Sequence, residues 1–236
     1  ELEYVYYYGK GYLPYAKAAY DTMTLEQVVE DKCKYSGRDP KSFLSLDEVL
    51  KMDDISGENG RFVRVITAAN GKKAFLRIYK DNHVYPYESQ ISTALKTLLQ
   101  EAPMVGFVTG HKERSGMDMG EKGYGTFASN KTFRYSLENS GYGVREISLE
   151  HPVAEDINII VLADMRSDFT EEEFRNFDAY LERGGNLFIL GEPKRQQFMN
   201  PVIERLGLRF ADGIIVSPSE VNLDDLVAAN IKEGAA

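Results

Sequence analysis

Hydrophobic positions recur with two different periods along this chain, and a proline at Ala102–Pro103 closes the first run of elements. Residues 1–101 predict a small α+β part. Glu1–Tyr8 (ELEYVYYY) is rich in β-formers and predicts a strand, broken by Gly9–Pro14. Thr24–Tyr35 places Leu25, Val28, Val29 and Cys33 on one helical stripe. Ser45–Met52 predicts a shorter helix, with Ser45 and Glu48 at capping-box spacing. Arg61–Thr67 and Lys73–Tyr79 alternate around a segment that holds Asn70-Gly71, which predicts a hairpin. A helix over Glu88–Gln100 follows, with Ile91, Ala94, Leu95, Leu98 and Leu99 on one face. Strand, helix, hairpin, helix is the order of the second half of a thioredoxin-like fold, an analogy at fold level only.

Residues 102–236 read as α/β. Met104–Thr109, Val144–Leu149, Ile157–Ala163, Asn186–Leu190 and Ile214–Val216 predict strands. Ile157–Ala163 is apolar but for Asn158, as expected when both faces of a sheet are covered. Helices are predicted over Thr126–Ser140, after Thr170, and over Gln196–Leu206. The second is the best punctuated. Thr170 and Glu173 form a capping box, Phe169 and Phe174 a hydrophobic staple, and Gly184 a left-handed stop. Its inward face is Phe174, Phe177 and Leu181; that of the third is Phe198, Met199, Val202, Ile203 and Leu206. The alternation predicts a mostly parallel sheet sandwiched by helices. Only seven residues separate Leu149 from Ile157. Extended, they span about 23 Å, enough to return along one strand, so these two strands are expected to be parallel and joined by a straight link near Pro152.

Composition narrows the class. The 236 residues are 43% hydrophobic, with 28 Lys+Arg against 37 Asp+Glu, a net charge of −9. A core is affordable, disorder is excluded, and nucleic acid is an unsuitable partner for so acidic a chain. Cys33 is the single cysteine, which excludes an intrachain disulfide and reads as a small core thiol. No apolar run is long enough to span a membrane. The sequence begins at Glu1 within a predicted strand, so it reads as a piece of a longer protein. Of fifteen tyrosines, five fall in Tyr4–Tyr12, where a strand packed on one side accounts for them.

Candidate chemistry sits where an open α/β sheet binds ligands, outside the carboxyl ends of its strands. Gly110, His111 and Glu113 follow the first strand of the α/β part, Asp164 and Arg166 the third, Glu192 and Lys194 the fourth. His111, Glu113, Asp164 and Glu192 are of the types that bind metal or move protons, which admits a hydrolase or metal-dependent enzyme. They equally suit a solvated rim, with His111 and Glu113 ordering a loop. A small-molecule module for sugar or nucleotide is the other alternative. No Gly-x-Ser-x-Gly is present and Cys33 lies far upstream, so an elbow nucleophile is missing. The five glycines of Gly110–Gly125 match neither phosphate-loop pattern. That loop is read as mobile; the alternative is that Met117 and Met119 form a soft contact surface for a partner. Neither catalytic residues, nor a metal set, nor a cofactor is assigned.

An ordered set of motifs resembles one family. Val105–Glu113 resembles a strand followed by G-H-x-E, and Gly141-Tyr142-Gly143-Val144 a G-Y-x-V before the second strand. Ile157–Asp164, Phe169–Glu173 and Tyr180–Asn186 resemble its later strand and its helix closed by Gly-Gly-Asn. Gly207-Leu208 and Gly213–Val216 resemble its close, and Pro86–Ser89 the approach to its first helix. The family is the GldG-like auxiliary components of ABC-type transport systems associated with gliding motility, and coverage is about residues 80–220. Met165-Arg166 departs from the family, which has a proline there. The resemblance implies a flavodoxin-like fold close to class I glutamine amidotransferases. It also implies a membrane-anchored parent with a periplasmic domain at the inner membrane. Its expected partners are ABC transporter membrane and ATPase subunits, with membrane contact only through segments outside this sequence. The function expected is non-catalytic binding of a partner protein or ligand, with Gly110, His111, Glu113, Asp164, Arg166 and Glu192 as candidate binding residues.

Overall fold

The computed structural model describes residues 3–9, 20, 22–58, 60–79, 81, 83, 85–218, 220 and 223. The chain forms two compact units, Glu1–Leu99 with Lys131–Arg134, and Gln100–Asn130 with Tyr135–Ala236. Residues 1–2 of the expected first strand, and 10–14 of its break with Tyr12, lie outside the described residues.

In the first unit, β1 (Tyr6–Tyr8) pairs in parallel with β2 (Phe43–Ser45), a strand absent from the sequence pattern. Between them runs α1 (Leu25–Ser36), opened by a Thr24–Gln27 capping box and closed by left-handed Gly37. Its stripe buries Val28 and the free Cys33. α2 (Leu46–Met52) starts from the expected Ser45–Glu48 box, in which each residue's main-chain N–H is met by the other's side chain. β3 (Val63–Thr67) and β4 (Lys73–Arg77) form the expected antiparallel hairpin. Against it packs α3 (Glu88–Leu99) through Ala94 and Leu98 onto Ala74. Ile91, Leu95 and Leu99, expected inward, are exposed at 40%, 49% and 82%, because the two-stranded hairpin covers only a narrow stripe of the helix. No ladder joins the two strand pairs among the described residues.

The second unit is an α/β layer structure. Its strands are β5 (Met104–Val108), β6 (Gly143–Ile147), β7 (Ile157–Ala163) and β8 (Asn186–Leu190), in the order β6-β5-β7-β8, all parallel. This is a doubly wound order, consistent with the expected flavodoxin-like class. β7, apolar but for Asn158, is interior, and its alternation feeds two cores. Ile160 and Leu162 pack with Phe177 and Tyr180 of α5 (Glu171–Glu182) and with Met199 and Val202 of α6 (Gln196–Ile203). Val161 and Ala163 pack on the other face with Ala128 of the short α4 (Gly125–Ala128). Burying Phe177 completely contributes about 2–3 kcal/mol.

The link from β6 to β7 is parallel and helix-free, as its length required, with β5 lying between the two strands. Leu149 and Val153 of the link enter the α5–α6 core. Its carbonyls are met from α5 and the turn that ends it. Asn176 donates to Leu149 O at 2.8 Å, and Arg183 to Val153 O at 2.9 Å and Ala154 O at 2.7 Å. Hydrogen bonds that a crossover helix would make internally are supplied instead by two side chains.

Leu206, expected inward, is 40% exposed in the 3-10 turn after α6, and two predicted elements do not form as expected. The helix expected over Thr126–Ser140 is only α4 and a 3-10 turn at Glu138–Ser140. Lys131–Arg134 leave it to join the first unit, where Arg134 donates to Asp81 at 2.6 and 2.9 Å, to Gln90 and to His83 O. The Arg134 guanidinium also lies over Tyr79 and Tyr87 at 4.5 and 4.4 Å. These contacts outweigh helix propensity. The strand expected at Ile214–Val216 does not form either. The three residues are 59%, 81% and 54% exposed and pair with no strand among the described residues, and β-propensity without a partner strand makes no ladder.

Candidate functional site

The loops leaving β5, β7 and β8 meet at the carboxyl edge of the sheet. Three main-chain bonds of 2.8 Å tie them to each other and to the strand ends: Arg114 N–H to Ala163 O, Asp164 N–H to Leu190 O, and Arg166 N–H to His111 O. Gly110, at φ 124°, turns the chain out of β5 with a backbone that side-chain-bearing residues rarely adopt. The non-glycine residues with positive φ among the described residues are Lys112 (58°), Asp164 (53°) and Lys194 (66°), one on each loop. Each costs about 1 kcal/mol or more and persists only where surrounding contacts enforce it.

His111 lies beneath its own loop. Nδ1 is 3.3 Å from Glu113 Oε1, and Nε2 is 3.2 Å from Glu173 Oε2. The His111 main-chain N–H donates to Glu113 Oε2 at 2.6 Å. Phe169 closes the ring edge-on at 4.9 Å. Glu173 Oε2 also accepts the Thr170 N–H at 2.7 Å, so one carboxylate serves both the capping box of α5 and the histidine. The two carboxyls are shifted in opposite directions. Burial pushes Glu113 above its ordinary value, outweighing the main-chain N–H groups and the His111 ring. Burial also pushes on Glu173, but the Thr170 N–H and hydroxyl and His111 together hold it below its ordinary value. The side chains of His111, Glu113 and Glu173 are 9%, 1% and 7% exposed, so a substrate has little access to any of them.

Asp164 makes a second, separate cluster. Arg195 Nε donates to Oδ1 at 2.9 Å, and Arg166 Nη2 and Nε to Oδ2 at 2.9 and 3.3 Å. Arg114 Nε stands 3.7 Å from Oδ2, and Arg114 Nη2 donates to Glu192. The six candidate residues therefore lie on one edge but not in one constellation. His111 and Glu113 form the buried group; Asp164, Arg166 and Glu192 form the arginine group; Gly110 shapes the first loop. Glu173, Arg114 and Arg195 were missed as site residues. Glu173 was visible only as a cap, and the two arginines sit beside strand-end residues that were singled out, Glu113 and Lys194.

The first unit contains a cleft of about 710 Å³ whose lining includes Tyr7, Val28, Cys33, Phe43, Leu46 and Ile55. Among the described residues no group of three or more His, Cys, Asp or Glu is placed to hold a metal, and no helix is long and apolar enough to cross a membrane.

A parallel sheet with helices on both faces and polar loops gathered at its carboxyl edge defines a doubly wound α/β domain. No curated protein and no solved structure matches the chain. The family described as an ABC-type uncharacterized transport system matches residues 102–228. The chain belongs to that family, as an auxiliary component of ABC transport.

Proposed function

We propose that this chain is a non-catalytic, extracytoplasmic domain of a membrane-anchored auxiliary protein of an ABC transport system. In this reading it meets a partner protein or transported ligand with the surface outside the carboxyl ends of β5, β7 and β8. The observation that carries the non-catalytic half is the burial of His111 between Glu113 and Glu173 under Phe169. An acid–base set must come within about 3 Å of the proton it moves, and this one is enclosed beneath its own loop. Family membership supports the association with a transport system. Likeness to the GldG-like proteins supports the periplasmic face of the inner membrane and the transporter's membrane and ATPase subunits as partners.

Thiol labelling of the intact gene product tests the location. Cys33 is buried, and Met119 is 52% exposed. A Met119→Cys variant is expected to react with a membrane-impermeant maleimide in spheroplasts before lysis. Labelling only after lysis would remove the extracytoplasmic assignment.

A further inference from the structure

We infer that the strand-end surface holds a site for a small oxyanion-bearing ligand, a phosphate monoester or a carboxylate, gripped by Arg114, Arg166 and Arg195 around Asp164. The inference rests on that surface being the ligand-facing one. Each arginine arrives from a different loop, after β5, β7 and β8. Asp164, 1% exposed, lies beneath them, while their side chains are 20%, 35% and 27% exposed. One carboxylate thus orients three guanidiniums without neutralising them. Glu192 answers Arg114, so two carboxylates face three guanidiniums and one positive charge is left over.

Donors are in still greater excess. Arg166 Nη1 and Arg195 Nη2 meet no protein acceptor among the described residues. The buried Nε of Arg114 makes no hydrogen bond. Asp164 and Glu192 together balance two of the three arginines, so a purely structural role leaves one guanidinium unexplained. α6 begins directly after Arg195 with no side-chain cap, so its first N–H groups add to the positive end. In a chain of net charge −9, this cluster of three guanidiniums against two carboxylates is a local excess of positive charge, which attracts small anions. The guanidinium fork matches the paired oxygens of phosphate and carboxylate alike. The surrounding acidity opposes a long polyanion such as nucleic acid.

Isothermal titration calorimetry on the full chain tests the site, with inorganic phosphate, glucose 6-phosphate and succinate as probes at ionic strength fixed with sodium chloride. Saturable binding of at least one probe is expected, weakened roughly tenfold in Arg166→Gln and in Arg195→Gln. Binding of the two phosphates alone assigns a phosphoryl group; binding of succinate alone assigns a carboxylate. Circular dichroism checks that the variants fold. For one that does not, Arg166→Lys, which keeps the charge and loses the fork, takes its place and is also expected to bind more weakly. No heat beyond that of chloride, or affinity unchanged in the folded variants, overturns the inference. If anion binding fails while Met119→Cys is still labelled from outside, this site falls and the location stands.

Discussion

A histidine with a carboxylate against each ring nitrogen works as an acid–base device only if something can reach it. His111 is closed off by Phe169 and by its own loop, and its two partners differ in what they do for stability. Glu113 has a raised carboxyl value in the folded chain. Below its ordinary 4.5, folded and unfolded forms both hold the proton. As pH rises, the unfolded chain ionises first, and stability falls until the folded value is passed. Glu173 works the other way: its contribution is present above its ordinary 4.5 and is lost as pH falls through its lowered value. Glu113→Gln keeps an oxygen to accept the His111 N–H but cannot ionise. We expect its urea midpoint to gain on the parent's between about pH 4.5 and pH 7. An equal loss at both pH values would mean that Glu113 is not the strained carboxyl described.

At the scale of elements, local punctuation and distant contacts compete, and Arg134 shows the second winning. Its guanidinium, 2% exposed, is held by Asp81 and stacked on two tyrosines, while Asp81 remains 32% exposed. Arg134→Ala should cost about 2 kcal/mol in chemical denaturation, less than a fully buried pair because Asp81 is partly hydrated. The hydrogen bonds from Arg134 hold the Asp81 carboxyl at about 2. The pair's contribution is therefore present above the ordinary 3.8 and lost as pH falls through about 2. A variant as stable as the parent at neutral pH would show that neither the ion pair nor the stacking of Arg134 on the tyrosines holds this segment.

The same competition explains which elements were legible in the sequence. β7, β8 and α5 have the expected bounds because apolar runs, a capping box, a staple and Gly184 act within a few residues. β2 was missed because three residues carry no period, and its pairing with β1 joins segments far apart in sequence. The helix after Thr126 was over-extended because Asp81, which draws Arg134 away, lies about fifty residues upstream.

For the whole molecule, the edge that carries the site was readable, because parallel strands fix where polar loops gather. How that edge divides was not. Nothing in the spacing of Glu113, Asp164 and Glu192 tells which carboxylate turns inward to His111 and which outward to arginines. That partition follows from loop backbones at Lys112, Asp164 and Lys194 that only the folded sheet enforces. Membership in the transport-associated family associates this domain with an ABC transport system. The most direct measurement is purification of the intact gene product from native membranes in mild detergent, with identification of what remains bound. The membrane and ATPase subunits of one ABC transporter should elute with it in fixed ratio. Recovery of the intact protein free of any transporter subunit, from membrane or soluble fraction, would mean that it does not work with one.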